Sequence, residues 1–287
     1  DFMNYDLEFE NMGRNAATIL HNNFEYRLQR FIEENLVSKY KDKIGKTVAG
    51  TVTRIDRQEN TFIEIGEVKG ILQRKSRIKG ETFKVGDVVK AVVKGVNIDK
   101  TNGLLIDISR TSPKFLENLL VLEVPELKDK KVNIEASARI PGSRSKIALS
   151  TIDAQIDPIG SVVGVKGVRI GSVSKQLNGE NIDCVEFSTI PEMFISRALS
   201  PALVNSVKIE KHPSYGEKGK AIVTIPSDQK SKAIGKAGLN IRLASMLTKY
   251  DIELIEVAST TPSANSEKAV VNEEKTTDTA SLEALFK

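Results

Sequence analysis

Between positions 14 and 40, Leu20, Phe24, Leu28, Phe31 and Ile32 return at helical spacing while Glu25, Arg27, Arg30 and Glu33 turn elsewhere, which predicts one amphipathic helix. A lone helix is no domain, so residues 1–43 read as the remnant of a larger N-terminal unit. From position 44 to 110 the period drops to two, and residues 46–55, 60–65, 69–73, 88–96 and 104–108 read as strands. The breaks carry Gly66, Gly70, Gly80, Gly86-Asp87 and Asn102-Gly103, which is turn chemistry. Five short strands at this spacing make an OB-type β-barrel over residues 44–111.

Pro113 suits the first turn of a helix over residues 114–122. Beyond it lies an internal repeat. In one copy Asp157-Pro158-Ile159-Gly160 leads to Gly164-Val165-Lys166-Gly167, then a helical stretch to Leu177 and a strand over 182–187. In the other, Ser227-Asp228 leads to Gly235-Lys236-Ala237-Gly238, a helical stretch to Leu247 and a strand over 252–257. The glycines match at a constant offset of 71. Two strand-like runs precede each copy, 131–138 with 145–150 and 205–210 with 220–225.

A Gly-x-x-Gly pair between two helices lets a nucleic-acid backbone approach where no Cβ intervenes, with helix amides and a loop cation facing the phosphates and an apolar groove for the bases. This is the mechanism of a KH module. It makes Gly164, Val165, Lys166, Gly167, Gly235, Lys236, Ala237 and Gly238 candidate RNA-binding residues, with Arg169 and Arg242 on the following turns. The spacing alone is cheap. Gly216-Glu217-Lys218-Gly219 also satisfies it, but it lies between two strands and reads as a hairpin turn. On the second barrel strand, Phe62 shares a face with Glu64 and opposes Ile63 and Ile65, so it is either a stacking platform for a base or an edge packing residue; Phe83 is a weaker candidate. Arg139, Arg144 and Lys146 bracket Pro141-Gly142 and read either as a solvated turn or as a phosphate-contacting extension.

The 287 residues carry a formal charge of +4, which becomes +6 once the tail after Val257, with three Lys and five acidic residues, is set aside. This balance suits a polyanionic partner. Residues 258–287 are rich in Ser, Thr, Ala, Glu and Lys without a period and read as a disordered tail, of which 280–286 could turn helical on a partner. Two histidines and one cysteine leave no zinc set, and neither a nucleotide-binding Gly-rich loop nor another cofactor motif is present. Cys184, inside an apolar run, reads as a small buried hydrophobe, and the absence of a second cysteine fits a reducing, cytoplasmic compartment. No apolar run approaches a membrane span. The chain opens with Asp1 rather than Met, which points to a trimmed N-terminus.

The order of an S1-type barrel, Glu123-Val124-Pro125-Glu126-Leu127, the turn from Pro141 to Ala148, Asp157-Pro158-Ile159-Gly160 and, later, Ala198-Leu199-Ser200-Pro201-Ala202 with Ala233-Ile234-Gly235-Lys236 resembles the bacterial transcription factor family NusA. The resemblance spans residues 44–257 and implies a multidomain α+β chain. Its parts are an N-terminal helix, a five-stranded S1-type OB barrel, two tandem prokaryotic-type KH domains over 112–190 and 191–257, and a tail. It further implies a monomer that binds single-stranded RNA and modulates pausing, termination and antitermination, without enzymatic activity. In the family, RNA polymerase is met through an N-terminal domain, and other transcription elongation factors are partners; residues 14–36 are similar only to that domain's last helix. Ile140 and Ser112 depart from the usual acidic residue and His. Two other readings are the RNA-binding end of a phosphate-dependent exoribonuclease, whose modules run in the reverse order, and a protein-docking scaffold.

Overall fold

A computed structural model describes residues 13–99 and 103–257. The expected disordered tail with its helix-capable end, and Asn102 of the expected last barrel turn, lie outside the described residues. The predicted helix is α1 (Arg14–Lys41). Among the described residues its C-terminal end meets the barrel: Leu36, Val37 and Tyr40 pack on it, and the Tyr40 hydroxyl donates to the Ile65 carbonyl at 3.1 Å. Leu20, Phe24, Leu28, Phe31 and Ile32 are all exposed.

The five expected strands form β1 (Thr47–Ile55), β2 (Thr61–Ile65), β3 (Val68–Leu72), β4 (Val88–Asp99) and β5 (Gly103–Ser109). They close into a barrel in the order β1-β2-β3-β5-β4, with β3 and β5 parallel. The period of two sorts the side chains, so that Thr61, Ile63 and Ile65 point inward and Phe62 and Glu64 outward.

The first KH module comprises α2 (Pro113–Glu123), α3 (Pro125–Lys128), β6 (Val132–Ile140), β7 (Arg144–Thr151), α4 (Pro158–Val163), α5 (Val168–Gln176) and β8 (Asn181–Glu186). Ser112 caps α2 by accepting from the Lys114 amide, and Asp157 caps α4 by accepting from that of Ile159, each with proline at the first helical position. The second module comprises α6 (Pro191–Ala198), β9 (Ser206–Lys211), β10 (Gly219–Pro226), α7 (Lys230–Ile234), α8 (Leu239–Thr248) and β11 (Tyr250–Val257). In both, the middle strand pairs antiparallel with the strand before it and parallel with the last. This is the prokaryotic KH arrangement. Gly216, Glu217 and Lys218 lie in the expected hairpin connection, which carries a bridge between Ser214 and Glu217, and Gly219 opens β10.

The modules are packed against each other rather than strung on linkers. Along β7, Ile147 and Leu149 enter the first KH core beside Phe115, Leu119 and Val173. Ala148 between them faces the other way, with Ala138 and Val185, into the core of the second module beside Leu243, Ala244 and Leu247. Small residues there let α8 lie close against the sheet. On the barrel side, Ile78 and Val92 join the first KH core. Gly142, at φ +71°, is required to be glycine because a Cβ would stand 2.6 Å from Ile78 Cγ2. Arg110 pins the same joint: it donates to both Glu81 carboxylate oxygens, to the Lys90 carbonyl and to the Gln176 carbonyl at the end of α5.

Two cations read from the sequence as open to phosphate are instead interior. Arg139 is 4% exposed and forks onto Glu180 while donating to the Arg110 and Ser112 carbonyls. Glu180 in turn accepts from Ser145 Oγ and the Gly142 amide. Lys146 is fully buried between the KH modules, donating to the Ser200 carbonyl at 2.8 Å with Asp183 at 3.5 Å. Burial lowers its pKa, offset in part by Asp183.

Removing Glu180 leaves the Arg139 guanidinium buried and unpaired, so Glu180→Ala should cost about 3–5 kcal/mol in urea unfolding. Lys230→Ala breaks only an exposed pair with Glu256 and should cost under about 1 kcal/mol.

Candidate nucleic-acid interface

The two glycine loops have one conformation. Gly164 sits at φ 74°, ψ 170°, Lys166 at 52°, 24° and Gly167 at 73°, 19°. Gly235, Ala237 and Gly238 take 73°, 175°, then 53°, 28° and 71°, 12°. In each loop the second glycine's amide donates to the first glycine's carbonyl, at 3.0 and 3.2 Å. The helices α5 and α8 then start at Val168 and Leu239 with no side-chain cap, and the amides of these two residues donate to the Val165 and Lys236 carbonyls within the loops.

Val165, Lys166, Lys236 and Ala237 are exposed at the loop tips. Neither lysine makes an ion pair among the described residues, and Arg242 on α8 is likewise exposed and unpaired among them. The loop cations do not occupy equivalent places: Lys166 is third in its loop, where the second loop has Ala237, and Lys236 is second, where the first has Val165. The two glycines of each pair also differ in role. A Cβ on Gly167 or Gly238 would meet nothing closer than 3.9 Å, whereas one on Gly164 or Gly235 would collide with a side chain of the following helix. Only the second glycine leaves a gap facing solvent.

Arg169 departs from its expected place. Its Nη1 donates to Glu126 at 2.9 Å and to the Ser161 carbonyl at 2.6 Å, so the guanidinium is turned back into the module. Arg144 is forked onto Asp183 at 2.7 and 2.9 Å, which raises its pKa. Lys146 has no surface to offer RNA. On the barrel, Phe62 does face outward, and the Arg54 guanidinium stacks 4.2 Å from its ring centre. The pair edges a depression of about 420 Å³ that also includes Thr53, Glu64 and Lys69. The sequence reading missed Arg54, although the hairpin register that puts it opposite Phe62 follows from the two strands. Phe83 packs against the barrel core.

An outward aromatic on a closed five-stranded barrel, followed by two helix–glycine loop–helix modules in a fixed arrangement, defines an RNA-binding protein of S1 and KH domains. Family models match accordingly: the S1 RNA binding domain over residues 41–105, the NusA-like first KH domain over 110–187 and the NusA-like second KH domain over 191–262. Among curated relatives, the transcription termination/antitermination protein NusA of Helicobacter pylori is 43% identical over the whole of this chain and 76% of its own length. The protein of that name from Thermus thermophilus is 39% identical, over 89% of this chain and 65% of its own, and that from Bacillus subtilis 33%, over 88% and 67%. The chain belongs to the NusA family.

Cys184 packs against the first KH core, and burial, with Asp183 beside it, pushes its thiol up to about 12. About one molecule in ten thousand is then thiolate at pH 8, against roughly a quarter for a free cysteine. A disulfide reagent at that pH should label the native chain at least about a hundredfold more slowly than the chain in denaturant; comparable rates would place the thiol at the surface.

Proposed function

We propose that this chain holds a single strand of RNA across both glycine loops and the Arg54–Phe62 face of the barrel. In this reading it is the RNA-gripping part of a cytoplasmic bacterial factor that modulates pausing, termination and antitermination by RNA polymerase. The observation that carries the reading is the identity of the two loops: the same left-handed dihedrals at 71-residue offset, each with a lysine at its tip that has no ion-pair partner among the described residues. An exposed cation without a carboxylate partner among the described residues, on a loop whose second glycine leaves open space beside it, suits a phosphate. Arg54 and Phe62 suit a base, since a ring with a stacked guanidinium presents flat π-surface. The acidic Glu64 and Glu67 around that depression disfavour a phosphate there.

RNA polymerase is the partner that membership of a transcription termination/antitermination family suggests, and other elongation factors are proposed beside it. They are proposed only as the context in which RNA is handed to the chain.

Binding of fluorescent RNA oligomers tests the reading. Replacing Val165 and Lys166 together by Asp, or Lys236 and Ala237, puts anions at one loop tip; Asp tolerates the left-handed conformation better than most residues, so the fold should survive. Each pair should weaken binding by at least about tenfold. The slope of log affinity against log salt should become shallower by about 0.7 for each phosphate that the loop no longer holds. Unchanged affinity in a folded variant would contradict the reading. Phe62→Ala should weaken binding by about 1–3 kcal/mol, but only for oligomers long enough to reach the barrel.

A further inference from the structure

Arg169 and Asn240 stand five residues after Gly164 and Gly235, and thus at equivalent places in the repeat. Chemically unlike, they do the same work. Each reaches back across its own loop to the helix before it: Arg169 donates to the Ser161 carbonyl, and Asn240 Nδ2 donates at 3.1 Å to the carbonyl of Lys232, the equivalent residue, and to that of Ala233. Each also ties down the leading helical segment of its module. Arg169 pairs with Glu126 of α3, and Asn240 donates at 3.0 Å to the Leu199 carbonyl just after α6.

Each, finally, occupies the volume that a side chain on the first glycine would need. A Cβ on Gly164 would lie 2.8 Å from Arg169 Cγ, and one on Gly235 2.7 Å from Asn240 Cβ. The loop between these anchors holds a non-glycine residue at positive φ, Lys166 or Ala237, a conformation that persists only where its surroundings over-determine it. Three attachments at one point, to the helix before the loop, the helix after it and the leading segment, supply that determination.

We propose that Arg169 and Asn240 are equivalent positioning residues, clamps that hold the two glycine loops in the form that receives RNA, and that Arg169 does not itself contact RNA. The inference rests on the RNA reading of the loops and assigns the division of labour within each. Lys166 and Lys236, with the loop amides, meet the phosphate; the residue five after the first glycine sets their geometry. Glu126 supports it. Its carboxyl is held below the usual carboxylate range by its own backbone amide and then by Arg169, so it remains ionised at neutral pH.

Removing Glu126 separates clamp from contact by sign. Measured in the full chain with the second loop disabled by Lys236→Asp and Ala237→Asp, Glu126→Ala should weaken RNA binding several-fold, although it deletes a negative charge near the site. Arg169→Ala should weaken binding about tenfold, the factor commanded by one charge-assisted hydrogen bond, with the salt slope unchanged, and Arg169→Lys should restore most of the affinity. Asn240→Asp, which turns an acceptor toward three carbonyls, should act likewise on the second module when the first loop is the one disabled, by Val165→Asp and Lys166→Asp. Urea unfolding of each variant reports whether the fold is kept, and Glu126→Ala, at a partly exposed position, carries the test if Arg169→Ala does not fold.

Tighter binding by Glu126→Ala would overturn the clamp, as would Arg169→Ala with unchanged affinity or with a salt slope shallower by about 0.7, the mark of a guanidinium that had itself held a phosphate. Insensitivity of RNA binding to the Val165→Asp, Lys166→Asp pair would instead remove the RNA reading on which the clamp rests.

Discussion

The strand β7 is buried on both faces, and the arrangement of the RNA-facing parts depends on it. Ile147 and Leu149 belong to the core of one KH module and Ala148 to the core of the next. A strand that serves two cores cannot be repacked for one without disturbing the other, because interiors this dense transmit displacement rather than absorb it. The two glycine loops are therefore fixed with respect to each other through the sheet. The barrel is fixed in turn by Ile78, Val92 and the Arg110–Glu81 joint. Three small modules, each with little apolar surface of its own, gain by sharing cores, and the geometry of a common binding face comes with that sharing.

Some ion pairs, such as Lys230 with Glu256, are exposed, while several others lie buried or half-buried within and between the modules: Arg139 with Glu180, Arg110 with Glu81, Arg144 and Lys146 with Asp183, Arg169 with Glu126. Desolvating such groups is tolerable only because every one is paired and hydrogen-bonded, and their value is in specifying one arrangement. Lys166, Lys236 and Arg242, which have no carboxylate partner among the described residues, stand at the loops and on the helix beyond. A cation without a carboxylate is available to an incoming phosphate; a paired one would have to give up its carboxylate first.

Much of this was legible in the sequence. The switch of period from 3.6 to 2 near position 44 marked the barrel. The alternation through Phe62, Ile63 and Glu64 placed Phe62 outside, and the 71-residue offset separated the two true loops from the hairpin at 216–219. The readings that failed share one cause. Arg139 and Lys146 look like turn cations because alternation along one strand does not reveal that a second module covers its outer face. The pairing of Arg169 with Glu126, 43 residues upstream, was not legible either, because the two meet only through the packing of α3 near α4 and α5. Nor does the sequence reveal that a Cβ on the first glycine of each pair would meet a side chain of the same module.

Binding affinity measured against RNA length tests most directly whether the loops form one track. A single rigid track predicts affinity that climbs steeply once an oligomer is long enough to engage both loops, by the effective-concentration gain of a second tethered contact. It also predicts that disabling either loop returns the long oligomer to the affinity of the short one. Affinity that levels off at the length of one module, with the two loops disabled independently and additively, would contradict it.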